Sequence, residues 1–189
     1  MTLSSIALCS RALLKIGANT ITSFDEGTAE AEVAANLFPS VRDGLLSAHP
    51  WSFATAQTTL AKLLAKPVAD YAFAYQLPAD FLRVLSAGVI GRGRGIVYRI
   101  AERKLHTDTD GVVLTYIFRP DESEFPPYFN QALIARLSAE FAIPVTESTS
   151  RSESLYSRAE EEFRRAKMID SQQATTGRIE DFTLTEVRK

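Results

Sequence analysis

Between residues 51 and 121 the hydrophobic period changes from that of a helix to that of a strand, and after Pro120 it changes back. A chain that switches period twice is neither one helical array nor one sheet. The pattern predicts helical segments around a β-rich insertion. With 189 residues the chain is long enough for a core without metals or disulfides. The expected fold class is α+β, mainly α: a bundle of about four helices, an inserted small antiparallel β-sheet and an extended C-terminal tail. The expected domains are 1–50 with 120–171 as the bundle, 51–119 as the insertion and 172–189 as the tail.

The first helix is expected over 3–16, with Leu3, Ile6, Ala7, Ser10, Leu13 and Leu14 on one face. Thr2 is placed to cap it and Gly17 to end it. A loop leads to a second helix over 28–48, where Val33, Leu37, Val41 and Leu45 recur every four residues. Glu26, Glu30 and Glu32 crowd its start, at the positive end of the helix dipole. Pro39 lies inside and predicts a kink or break. His49 precedes Pro50 and is pushed out of the helical region. It reads as a helix-terminal residue at which a cation is favoured. Trp51 and Phe53 are expected to pack where the helix meets the next element.

In the insertion, Tyr71, Phe73 and Tyr75 share a face, and strands are expected at 81–85, 96–100, around Leu105 and over 112–118. Both faces of the last strand are expected to be covered. Gly91-Arg92-Gly93-Arg94-Gly95 and Asp108-Thr109-Asp110-Gly111 read as turns. The glycine-rich loop lacks the phosphate-cradle pattern and leads into a strand, not a helix. Its Arg92 and Arg94 are candidates for contact with DNA or an acidic partner. The Thr107–Gly111 run lacks the third carboxylate and closing glutamate of a calcium loop.

After Pro120, Phe129, Leu133, Leu137 and Phe141 form one helical stripe among alanines, and Pro144 is expected to end that helix. The last helix, 148–171, carries Leu155, Ala159, Phe163 and Ala166 in a narrow stripe. Glu160–Arg164 and Glu161–Arg165 are expected to pair along it. The tail spaces Ile179, Phe182, Leu184 and Val187 among polar residues, a pattern suited to pairing with another surface.

Charge and chemistry exclude several classes. With 21 basic and 23 acidic residues the net charge is −2, which argues against an electrostatic nucleic-acid binder. One cysteine, Cys9, permits no intrachain disulfide or multi-cysteine zinc site, and it reads as a small buried hydrophobe. His49 and His106 are the two histidines. No membrane span or signal peptide is read, so the chain is expected to be made in the cytoplasm. No GxSxG elbow is present. No residue is assigned as catalytic, metal-binding or cofactor-binding, and an enzyme is not expected.

Four blocks, in order, carry a family resemblance: Ile6–Gly17; the Glu30–Val33 region running through Val41-Arg42-Asp43-Gly44-Leu45-Leu46 to His49-Pro50-Trp51-Ser52-Phe53-Ala54; Tyr75-Gln76-Leu77-Pro78-Ala79-Asp80-Phe81-Leu82-Arg83-Val84; and the Phe129–Pro144 helix with the charged helix after it. Together they resemble the tail tubular protein A family, the head-to-tail adaptors, or gatekeepers, of short-tailed bacteriophages and prophages. The third block is similar to that family's Y-x-LPxDxLRV segment. The resemblance covers roughly residues 3–170; Pro39 and the short insertion are departures from it.

The resemblance implies a homo-oligomeric ring, dodecameric in the family, at the head–tail junction of a virion. Its partners would be the portal protein, the tail nozzle or tube protein and neighbouring copies of itself. DNA would pass through the channel without specific binding. Leu155, Phe163, Met168, Ile179, Phe182, Leu184 and Val187 are the candidate portal or neighbour-subunit contacts. A related alternative is an adaptor of a long-tailed phage or gene-transfer particle. An alternative of another class is a carbohydrate-binding or hydrolytic tail component, with Phe73, Tyr75, Tyr98 and Tyr116 lining an aromatic pocket.

Overall fold

The computed structural model describes residues 3–173. Among them are four α-helices and six strands: α1 (Ser5–Ile16), α2 (Ala29–Ala48), β1 (Thr55–Thr59), β2 (Phe73–Gln76), β3 (Phe81–Gly88), β4 (Arg99–Ala101), β5 (Lys104–Thr107), β6 (Val113–Phe118), α3 (Pro127–Thr146) and α4 (Thr149–Asp170). Short tight turns of helix span Ser52–Ala54, Glu122–Glu124 and Ser171–Gln173. The fold is mainly α with two small antiparallel sheets.

Helix α3 organises the bundle. Phe129, Leu133, Leu137 and Phe141 are all fully buried, and so are Ala132, Ala139 and Ala142 on its other sides. A helix with apolar residues on most of its sides has to be largely enclosed, and α1, α2 and α4 all pack on it. The helix does not stop at Pro144. It runs to Thr146 and ends at Glu147, whose left-handed backbone (φ 55°) returns an amide to the Ile143 carbonyl at 2.9 Å. A proline in the last turn costs one hydrogen bond and does not end the helix.

Helix α1 begins later than expected. Ser4 caps it, and its hydroxyl accepts from the Ala7 amide at 3.3 Å; Thr2, the expected cap, lies outside the described residues. The fully buried seam is Leu8, Cys9, Ala12 and Leu13, while Leu14 is exposed. Gly17 does end the helix, at φ 77°. Arg151 at the start of α4 donates to the Ile16 carbonyl at 2.9 Å, a cation on the negative end of α1.

Helix α2 passes through Pro39 without a break. Pro39 lies on the solvent face, where water can satisfy the carbonyl that proline leaves free. Thr28 caps the helix by accepting from the Ala31 amide. Glu26 instead braces the preceding loop, accepting from the Thr22 and Ser23 amides at 2.9 and 3.3 Å.

The insertion holds two three-stranded sheets, not one: β1-β6-β3 and β2-β5-β4. Their side chains share a second core of Leu60, Tyr75, Leu77, Ala87, Leu105, Val112, Leu114 and Tyr116. Strand β6 links the two cores. Ile117 faces the helical core, and Leu114 and Tyr116 face the insertion core. Strand β1, Thr-Ala-Gln-Thr-Thr, has no alternation to announce it and forms by pairing with β6 in register Thr55↔Ile117 to Thr59↔Val113. Residues 96–98 are not strand; their backbone serves cross-links, with the Ile96 amide on Ala87 and the Thr107 hydroxyl on the Val97 carbonyl. The 91–95 and 108–111 segments are turns, with Gly91, Gly95 and Gly111 at positive φ.

On α4 the expected Glu160–Arg164 and Glu161–Arg165 pairs do not form. Glu160 pairs with Arg136 of α3 at 3.3 Å, and Arg165 lies 3.8 Å from Glu162. Contact with α3 redirects Glu160 off its own helix. Among the described residues, no helix is long and apolar enough to cross a membrane.

Candidate functional site

The joint between bundle and insertion starts where α2 stops. His49 takes an extended conformation (φ −142°, ψ 147°) before Pro50, and the chain turns to place Trp51 in the core. Trp51 is fully buried, and its indole donates to the Leu45 carbonyl at 2.9 Å. Its ring lies edge-on to Phe129 and Phe163, with centroids 5.1 and 5.8 Å away. Edge-to-face contacts of this kind fix orientation as well as burying area.

Next to Trp51 stands a buried carboxylate. Asp170, at the end of α4, is 4% exposed. It accepts from the Ser52 amide at 3.0 Å, the Ser52 hydroxyl at 2.7 Å and the Tyr128 hydroxyl at 2.7 Å. A carboxylate in the last turn of a helix opposes the helix dipole, and the three donors offset that cost. Burial, then the bond to Asp170, pushes the Tyr128 hydroxyl up to about 12. His49 Nε2 lies 3.7 Å from Asp170. Burial lowers the His49 pKa, Asp170 pulls it back up, and Lys167 and Arg83 oppose Asp170. The cation expected at this helix end is therefore disfavoured: burial, with Lys167 and Arg83, outweighs the pull of Asp170.

Ser52, His49 and Asp170 are the residue types of a nucleophilic triad, but not its geometry. A triad needs histidine between hydroxyl and carboxylate. Here the serine hydroxyl donates directly to Asp170, which leaves the imidazole outside the chain of proton transfer. The cluster is a latch joining the end of α4, the start of α3 and the elbow after α2. A second cluster bolts the other side of the joint. Arg42 of α2 reaches Glu122 at 2.7 Å and Asp43 at 2.9 Å, and Asp43 also holds Arg119 at the exit of β6.

The structure separates the residues singled out as partner contacts. Leu155 and Phe163 are half-buried against the helical core, so they serve this chain's own packing. Met168 is 60% exposed. Close by in sequence, Ile169 helps line a shallow groove of about 370 Å³ with Pro127, Tyr128, Gln131 and Ala166. Ile179, Phe182, Leu184 and Val187 lie outside the described residues. Arg92 and Arg94 are exposed on the turn beyond β3, away from the latch. Gly88 at the base of that turn has no room for a Cβ, which would collide with the Arg92 carbonyl and the Arg94 amide.

The aromatics of the insertion are occupied internally. Tyr75 is 1% exposed, and its hydroxyl donates to the Thr109 carbonyl and accepts from the Gly111 amide, each at 3.0 Å. Tyr116 stacks on Phe81, Lys62 covers Phe73, and Tyr98 is packed against the insertion core. Cys9 is fully buried, and burial raises its thiol to about 12. Sequence reasoning missed the latch. The available signal was Asp170 itself, an acid where a helix end favours a base.

No protein-family model matches the chain, and no curated protein is significantly similar to it.

Proposed function

We propose that this chain is a structural subunit of a phage head-to-tail connector: a member of a homo-oligomeric ring that docks on the portal protein, receives the tail nozzle or tube and lets DNA pass. In this reading the protein has no catalytic role and works at the head–tail junction of a virion. The observation that carries the proposal is how the resembling blocks are used. His49–Ala54 makes the elbow between bundle and insertion, and in the Tyr75–Val84 block Tyr75 and Leu77 sit in the insertion core while Leu82 packs on the helical core. Both blocks are joint-making sequence, as an adaptor that must hold two bodies in fixed relation requires.

The portal-facing surface in this proposal is the C-terminal end of α4, where Met168 and Ile169 stand beside the latch, continued by residues 173–189. The test is co-purification of the full chain with the portal ring of the same particle. Stoichiometric retention supports the reading. Loss of retention on deleting 173–189, with the melting curve unchanged, assigns attachment to the tail. Retention unaffected by that deletion takes the tail out of the proposal.

A further inference from the structure

Two fully exposed aliphatic side chains stand on a braced loop of the insertion. Leu64 and Val68 are as exposed as free residues, at 104% and 106%. The loop carrying them is tied at its base. The Leu63 amide donates to Ala74 at 2.8 Å and the Gln76 amide to Ala61 at 3.0 Å, Lys62 bridges to Tyr75, and the Ala72 amide donates to Asp108 at 2.8 Å. The loop is thus a braced finger on which Leu64, Lys66 and Val68 are exposed, beside a recess it lines with Arg99, Lys104 and His106. Exposed large apolar side chains placed together mark interaction surfaces.

The bundle offers a matching recess. A groove of about 440 Å³ opens between α2, α3 and α4. Leu37, Val41, Leu45 and Phe163 give it apolar walls, and Glu140 and Glu160 stand at it with Arg136. Gly44 also lines it, and a Cβ there would meet nothing within 4 Å. The finger carries Lys66 and Asp70, and Asp70 bridges to Arg99 of β4 at 3.7 Å, so two bases and one acid stand there; the groove holds two acids and one base. Charge follows the same division. Residues 51–119 hold nine Lys and Arg against five Asp and Glu, and residues 120–171 hold six against ten. Because Leu64 is fully exposed, the finger does not fill the groove of its own chain.

We infer that the 63–71 finger of one copy docks in the α2–α3–α4 groove of the next copy. Donor and acceptor surfaces differ, so the contact is heterologous and propagates until it closes as a ring or continues as a filament. The contact deepens the connector reading by naming the surfaces that would join neighbours, and its significance as a ring contact rests on that reading.

The test uses two full-length variants, each disabling one half. Leu64→Asp with Val68→Asp spoils the finger at positions that are fully exposed. Gly44→Phe fills the groove and replaces a helix-interior glycine with a better helix former, so the fold is retained. Sedimentation velocity of the wild-type chain is expected to show assembly beyond the dimer as concentration rises. Each variant alone should self-associate at least about tenfold more weakly. Mixed together, the two should form a one-to-one dimer and nothing larger, since only one finger and one groove remain.

A wild-type chain that stays monomeric up to about 1 mM, variants that assemble as wild type does, or a mixture that stays monomeric overturns the contact. The portal experiment separates this claim from the connector reading. If both variants decorate portal rings as wild type does, the contact falls and the connector reading stands. If wild type self-associates as described yet ignores portals, the connector reading falls and the contact stands.

Discussion

The hydroxyl of Tyr128 donates to Asp170 at 2.7 Å, joining the first turn of α3 to the last turn of α4 at the point where α2 gives way to the insertion. Ser52 approaches the same carboxylate from the other side with its amide and hydroxyl. Three segments far apart in sequence therefore depend on one buried acid. Its removal leaves buried donors without partners, which costs more than the bonds contribute while intact.

Asp170→Ala is expected to destabilise the chain by about 3 kcal/mol and Tyr128→Phe by about 1–2 kcal/mol. Urea unfolding of each measures this. A double-mutant cycle between the two positions should show coupling, because both changes remove the same bond. Additive losses would remove the latch from the account.

His49 sets a pH dependence of defined sign. Its folded pKa is lowered by burial against the pull of Asp170, so the unfolded chain takes up the proton first as pH falls. The stability it contributes is present above about pH 6.5, the unfolded value, and is lost as pH falls toward the folded value. Unfolding free energy measured from about pH 7.5 down to 5.5 should decline in the wild type and decline less in His49→Asn. An identical slope in both would contradict the assignment.

Cys9 is fully buried with its thiol raised to about 12, so it is inert in the native state. A thiol-specific disulfide reagent is expected to label the native chain only as fast as the chain opens, and the denatured chain at once. Rapid native labelling would show α1 undocked from α3.

Two glycines should respond oppositely. Gly44→Ala adds a methyl in open space within α2 and should stabilise by about 0.5–1 kcal/mol. Gly88→Ala drives a Cβ into the Arg92 carbonyl and the Arg94 amide and should destabilise by about 2 kcal/mol or more. Thermal melts of both test the path of the 89–95 turn directly.

The parts of this fold that were legible in the sequence are those with a strong local period. The Phe129–Phe141 stripe gave α3, and the alternation over 112–118 gave β6. Other features depend on neighbours distant in sequence. The polar segment 55–59 becomes β1 because β6 lies alongside it. Glu160 leaves Arg164 because Arg136 reaches it from α3. Neither proline breaks its helix: Pro39 faces solvent and Pro144 sits in a last turn, so neither costs enough to do so. The latch was hidden because Ser52 and Asp170 are 118 residues apart, and only the fold places a hydroxyl over that carboxylate.

The central claim is that this chain forms a collar on a portal, and electron microscopy of the two mixed proteins tests it most directly. The account predicts a continuous ring of added density, dodecameric by the family resemblance, at the narrow end of the portal, lost when 173–189 is deleted. Bare portals beside folded chain, under conditions where the chain keeps its native melting transition, would contradict it.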